Sequence, residues 1–172
     1  MLPPMIETER LTLRPLRAAD AGPISLYAGD IRVAGSVARI PHPYPPGAAE
    51  AYIARALRAD GDEMIWAMDA TCSDGADMLG FVALRKDGSV GYWVGPPFWN
   101  LGYAREALAG VVGYALDNGY ARLTGEVFQT NERSAQVLIA CGFRYTGEGS
   151  TFALVQNAVV PTWTYELLAG QE

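Results

Sequence analysis

At 172 residues, half of them hydrophobic, the chain is long enough to bury one core and too apolar for disorder to be the default. A formal charge of -6 argues against a nucleic-acid surface as its main business, while permitting a cationic partner. One histidine and two cysteines make a metal centre improbable, and no apolar run approaches the roughly 20 residues that a membrane helix needs.

The opening Met1-Leu2-Pro3-Pro4-Met5 lacks the charged and long apolar regions of a signal peptide, so a soluble, cytoplasmic chain folding as one domain over 1–172 is expected. Residues 10–16 alternate, with Leu11 and Leu13 on one side and Thr12 and Arg14 on the other, as in a half-buried strand. Asp20 then reads as a helix N-cap, with Pro23 in the first turn and Gly29 as the stop. The stretch Ile40-Pro41-His42-Pro43-Tyr44-Pro45-Pro46 cannot be helix, because proline lacks the donor and excludes helix before it. A helix over about 48–59 follows, striped by Ala49, Ile53, Ala56 and Leu57 and ended by Gly61.

Three strands come next, at 64–69, 78–85 and 89–94, the last two joined by the tight turn Lys86-Asp87-Gly88. Trp66 reads as core packing, with an acceptor wall as the alternative. Gly95-Pro96-Pro97 breaks the third strand. The most amphipathic helix covers about 103–118, with Ala104, Leu108, Val111, Val112, Ala115 and Leu116 at helical spacing. A strand at 122–128 follows, then a short helix over about 132–141, capped by Asn131 and closed by Gly142, with Cys141 as a small core residue at its end. The tail, 143–155 and 159–167, reads as two final strands. The whole is an α/β alternation.

The informative segment is strand, Gly/Pro break, loop and helix start, from Gly91 to Ala107. A helix start presents unpaired N–H groups and the positive end of a dipole, a natural cradle for a pyrophosphate. Gly102 lets the backbone approach such an anion, Ala104 leaves it room, and Arg105 adds charge beside it. The same spacing also suits a plain strand-to-helix turn.

Trp99-Asn100-Leu101-Gly102-Tyr103-Ala104 resembles the pyrophosphate motif of GNAT acyltransferases, Gln/Arg-x-x-Gly-x-Gly/Ala, with Trp99 departing at the first position. The wider string from Pro97 to Ala107 is similar to the ribosomal-protein N-terminal acetyltransferase branch (RimJ/RimL-like), tryptophan included. A glycine commonly stands there in place of Asn100, and Asn tolerates left-handed angles. Thr8-Glu9-Arg10-Leu11-Thr12-Leu13-Arg14-Pro15, and Asn131-Glu132-Arg133-Ser134 with Gly142-Phe143, resemble the same branch in the same order.

The resemblance implies a GNAT fold: a mixed, splayed sheet of about six to seven strands flanked by about four helices, with acyl-CoA between the strands at 89–94 and 122–128. It implies acetyl-CoA as co-substrate, with no metal. Backbone groups of Trp93 and Val94 would hold the pantetheine arm, and Asn100, Leu101, Gly102, Tyr103, Ala104 and Arg105 the pyrophosphate. Asn131, Arg133 and Ser134 would lie along the cofactor, although Asn131 and Ser134 also read as an ordinary helix cap and first turn.

The implied reaction moves an acetyl group to a primary amine, either a protein N-terminus or a small amine, by direct transfer in a ternary complex of a monomer or homodimer. A backbone N–H near Val94 would polarise the thioester carbonyl. Relatives place a tyrosine seven residues after the helix asparagine, where this chain has Leu138. The catalytic residues are therefore unknown, with Glu126, Ser134 and His42 as candidates. The plainer readings are Glu126 as an outward charge at a strand end, Glu106 as a partner of the helix dipole, and His42 as a solvated loop residue. His42, Tyr44 and Trp93 are candidates for the acceptor site. A non-catalytic acyl-CoA-binding sensor or partner-binding module is the alternative that Leu138 keeps open.

Overall fold

The segment Met64-Ile65-Trp66-Ala67-Met68 is apolar without alternation, as expected of a strand buried on both faces. In the computed structural model, which describes residues 2–171, it lies in β3 (Glu63–Asp69), at the centre of a five-stranded antiparallel sheet. The order is β1 (Ile6–Glu7), β2 (Thr12–Pro15), β3, β4 (Gly80–Arg85) and β5 (Val90–Val94). Met64, Trp66 and Met68 face one core, with Val90 and Val94, against α4 (Tyr103–Asp117) and α5 (Glu132–Ala140). Ile65, Ala67 and Trp93 face a second core, against α1 (Ala21–Ala28), α2 (Ile31–Ala34) and α3 (Ala48–Ala56). The period of two thus assigns alternate side chains of each strand to different helix layers.

A second sheet has the order β6 (Arg122–Phe128), β8 (Ala158–Leu168), β7 (Arg144–Ala153), all antiparallel. Among the described residues the two sheets are bridged at Ser89 and Thr124, in parallel, where Thr124 N–H donates to the Gly88 carbonyl at 3.0 Å. Beyond that bridge β5 and β6 part. The expected mixed, splayed sheet with flanking helices is the fold observed, with the two-residue β1 and the four-residue α2 added to the expected elements. The 86–88 turn is a hairpin as expected: Arg85 N–H donates to the Ser89 carbonyl at 2.9 Å, and Gly88 takes the left-handed φ of 87° that a side chain resists.

Three expectations are corrected. Arg14 does not face outward: it is buried, with Nε on Asp69 (2.8 Å) and the Nη atoms on Asp20 (2.8 and 2.9 Å). Pairing on two sides makes burial of a guanidinium tolerable, and no hydropathy pattern reveals it. Asp20 accordingly turns inward, accepting from Arg17 N–H at 2.9 Å rather than capping α1 with its side chain. Finally, α3 ends at its cap Leu57, which is exposed, and not near Gly61. Arg58 and Asp60 pair at 2.9 Å, a two-residue spacing that a helix holds apart.

Candidate active site

Between β5 and α4 the chain makes a short turn at Pro96–Phe98 and then two left-handed residues, Asn100 (φ 64°) and Gly102 (φ 82°). Asn100 occupies the conformation its residue type tolerates. A Cβ at Gly102 would meet only the Nη2 of Arg10, at 3.3 Å, so this backbone is open to a close approach. Glu106 N–H is the first to bond within the turn, to the Gly102 carbonyl at 3.0 Å. The amides of Tyr103, Ala104 and Arg105 precede it, at the positive end of a fifteen-residue helix.

The opening strand fixes this helix tip. Arg10 donates from Nε to Glu106 (2.7 Å) and from Nη1 to the Leu101 carbonyl (2.8 Å), and its guanidinium lies 4.4 Å over the Tyr103 ring. Thr8 Oγ and the Arg10 amide also donate to the Glu106 carboxylate. Burial works against the charge on Glu106, yet the Thr8 and Arg10 bonds outweigh it and hold the carboxyl below its ordinary range. Glu106 is therefore the anchor between the opening strand and α4, a stronger role than the helix-dipole partner expected of it.

A cavity of about 710 Å³ lies at this tip, between the loop at 98–105 and the start of α5. Arg32, Arg105 and Arg133 line it with Glu132, and Arg32 is paired with Asp30 at 2.7 Å, which leaves a small positive excess in an acidic protein. Trp99 forms the floor between two arginines, with Arg133 at 4.3 Å and Arg32 at 5.7 Å from its ring. Its indole N–H donates to the Val94 carbonyl at 2.7 Å, which binds the loop to the end of β5. An anion of pyrophosphate size fits this donor set: amides at a helix start, a glycine that leaves space, and guanidinium groups at the rim.

A larger cavity, about 1260 Å³, opens on the other side of the splay. One wall is aromatic, with Tyr44, Tyr52, Phe81 and Trp93; the other is the β6–β8–β7 face, with Thr124, Thr146, Thr162, Thr164 and Glu126. Glu126 is exposed to this cavity and accepts from the buried Thr162 hydroxyl at 3.0 Å, so it is a cavity wall residue and not merely an outward charge.

The hydrogen-bond direction along β5 shows which backbone groups face the opening. Gly95 N–H donates to the Leu79 carbonyl on the β4 side, as the Ser89 carbonyl accepts from Arg85 there. Alternation by two then sends the backbone groups of Gly91 and Trp93 to β4 and those of Val90, Tyr92 and Val94 toward β6. The backbone groups of Trp93, expected to face a bound cofactor, face β4 in this register; Trp93 lines both cavities, and its ring is packed edge-on to Phe81 at 5.3 Å.

Asn100, Gly102, Tyr103, Ala104, Arg105, Asn131, Arg133, Ser134 and Val94 come together around the smaller cavity. Leu101 does not line it: its side chain is exposed and its carbonyl is taken by Arg10. Asn131 caps α5, accepting from Ser134 N–H at 3.3 Å, and its amide donates to the Ser36 carbonyl at 3.3 Å. Tyr44 lines the larger cavity, whereas His42, two residues away, is exposed and lines neither. Tyr92, whose hydroxyl meets Ser134 in the first turn of α5, carries no signal in the sequence, where it looks like any aromatic in a strand. Both cysteines are free, and burial pushes the Cys141 thiol up to about 11. Among the described residues no three His, Cys, Asp or Glu side chains are grouped to hold a metal ion, and no helix is long and apolar enough to cross a membrane.

A sheet splayed at one strand, with a helix start at the opening, is the arrangement that the resemblance to acyltransferases implies. The family described as "Acetyltransferase (GNAT) domain" matches residues 10–144, and the chain belongs to it. Over 98 residues, 55% of either chain, it is 29% identical to the N-acetyltransferase YoaA of Bacillus subtilis, described as uncharacterized. The match therefore spans about half the length of that relative. Among solved structures, the fold is shared with the microcin C7 self-immunity acetyltransferase MccE in complex with acetyl-CoA and AMP (TM-score 0.80, 16% identity, 93% of each chain). It is also shared with a ribosomal-protein-S5-alanine acetyltransferase of Vibrio fischeri (TM-score 0.78, 19% identity, 98% of each chain).

Proposed function

We propose that this chain, acting over its whole length as one acyltransferase domain, moves an acetyl group from acetyl-CoA directly to a primary amine while both are bound. The observation that carries this reading is the meeting of two cavities where β5 parts from β6, one at the start of α4 and one walled by Tyr44, Tyr52, Phe81 and Trp93. The smaller suits the pyrophosphate and pantetheine of the cofactor, with Gly102, Tyr103, Ala104 and Arg105 at the phosphates and Asn131 and Arg133 alongside. Acetyl-CoA supplies an activated thioester carbonyl; Val94 N–H, directed into the opening, would hydrogen-bond to its oxygen as negative charge develops.

The larger cavity suits the acceptor. Glu126 offers a carboxylate for an ammonium group, and Tyr44 and Trp93 offer apolar walls for what carries it. The reading extends to the RimJ/RimL-like branch and to a protein N-terminus as acceptor. A cavity of about 1260 Å³ accommodates several residues of a peptide, and an α-amine with a pKa of about 8 is partly neutral at working pH, whereas a lysine near 10.4 needs a base. Two free thiols suit a reducing cytoplasm.

A thiol-release assay with acetyl-CoA against peptides with free N-termini, polyamines and amino-sugars tests the proposal. Release matched one-for-one by acetylated amine is expected, with peptides the best acceptors. Tight acetyl-CoA binding with no release for any amine would overturn it in favour of a sensor.

A further inference from the structure

Both cavities are lined by Ser36, Val37, Tyr92, Trp93, Asn131 and Ser134. If one cavity holds the cofactor and the other the acceptor, bonds are exchanged against this shared wall. Its side-chain donors can be sorted by what they already hold. Ser36 Oγ donates to the Val33 carbonyl at 2.8 Å, and Asn131 donates to the Ser36 carbonyl. Trp93 projects to the opposite sheet face, against Phe81. Tyr92 and Ser134 differ from these in bonding to each other, from β5 to α5.

These two form a chain of hydroxyls. Ser134 Oγ donates to Tyr92 Oη at 3.0 Å, and Tyr92 Oη donates to the Ser134 carbonyl at 2.8 Å. That carbonyl lies in the first turn of α5, where the amide of residue 138 already serves it through the helix pattern. The phenolic hydrogen can therefore turn away without leaving a carbonyl unpaired, at small cost. The Ser134 hydroxyl keeps its hold on the phenolic oxygen during that turn and polarises it further. Burial raises the phenol above its ordinary pKa, so it carries its proton throughout the physiological range.

Resting on the acetyl-transfer reading above, we infer that the Tyr92 hydroxyl, oriented by Ser134, donates a hydrogen bond to the thioester sulfur as the acetyl group departs. The amine nitrogen attacks the carbonyl carbon, the C–N bond forms and the C–S bond breaks with its electron pair going to sulfur. The surplus proton of the new amide nitrogen passes to solvent, and the thiolate, stabilised by Tyr92 O–H, takes a proton from solvent. Tyr92 is the catalytic residue in this step and Ser134 a positioning residue. Leu138 is core: it is buried, and its methyls fill the space left by Gly125, where a Cβ would come within 2.7 Å.

Tyr92→Phe keeps the ring and deletes the donor. In steady-state assays with the best amine, kcat is expected to fall on the order of 100-fold, with acetyl-CoA affinity unchanged and the melting temperature lowered by no more than about 5 °C. Ser134→Ala should lower kcat several-fold in the wild-type background and have no further effect on Tyr92→Phe, a dependence that independent structural roles would not produce. Wild-type kcat in Tyr92→Phe, or a loss matched by weaker acetyl-CoA binding, overturns the inference while leaving acetyl transfer standing. A wild-type protein that binds acetyl-CoA and acetylates no amine overturns both.

Discussion

The two cavities that meet at β5 are built by opposite means. The smaller takes most of its wall from two short stretches, 98–105 and 129–134, whereas the larger gathers residues from α1, the segment at 36–41, α3 and every strand from β3 to β8. A phosphate cradle is a backbone device, so its residues must be neighbours in sequence. An acceptor pocket is a side-chain device, and any element that reaches it can contribute. The first has a legible motif; the second exists only once the sheets are placed.

The largest expected effect strikes both cavities at once. Arg14 joins β2 to Asp69 of β3 and to Asp20 beside α1, so Arg14→Met leaves two buried carboxylates without their partner. Chemical denaturation should show a loss of roughly 3–5 kcal/mol; a loss below about 1 kcal/mol would mean the two cavities do not depend on this frame. Acid acts on the same frame. Burial opposes the charge on Asp69, but the Thr71 and Arg14 bonds outweigh it, so its folded pKa, like that of Glu106, is lowered. Such groups bind protons more weakly folded than unfolded. Their stabilisation is full above the unfolded values of about 4 and is lost as pH falls through the lower folded ones. A pH series of unfolding midpoints should therefore decline below about pH 4, and a flat series would sink the claim.

Next in size is a change confined to the cofactor side. Gly102→Asp puts bulk and negative charge at a left-handed position facing the helix tip, and should weaken acetyl-CoA binding on the order of 100-fold by calorimetry. Gly102→Asn, which tolerates the same backbone, should lose much less; equal affinities for all three proteins would remove the helix tip from the site. A smaller effect is expected on the acceptor side. Glu126→Gln should raise the amine KM about tenfold and leave acetyl-CoA affinity alone, as loss of one charge-assisted bond predicts. A shift in the cofactor affinity instead would abolish the division of labour between the cavities.

Legibility followed the range of the interactions. The 86–88 hairpin, the capped α5 and the left-handed Asn100 and Gly102 depend on residues within a turn of one another, and residue type was enough to read them. Arg14 was misread because its partners lie 6 and 55 residues away. Trp93 was placed in the right cleft with the wrong atoms, because the direction of its N–H depends on pairing with β4. His42 and Tyr44 share the proline-rich segment and are both acceptor-site candidates, yet only Tyr44 lines a cavity.

Local chemistry written in the chain placed most strands and helices and marked a helix start at Gly102, since caps, turns and periodicity are short-range effects. Which charges are buried, which edge of β5 stays unpaired and which hydroxyl faces the gap were decided by packing two sheets against two helix layers. Those outcomes depend on contacts between residues far apart in sequence, and no local pattern encodes them.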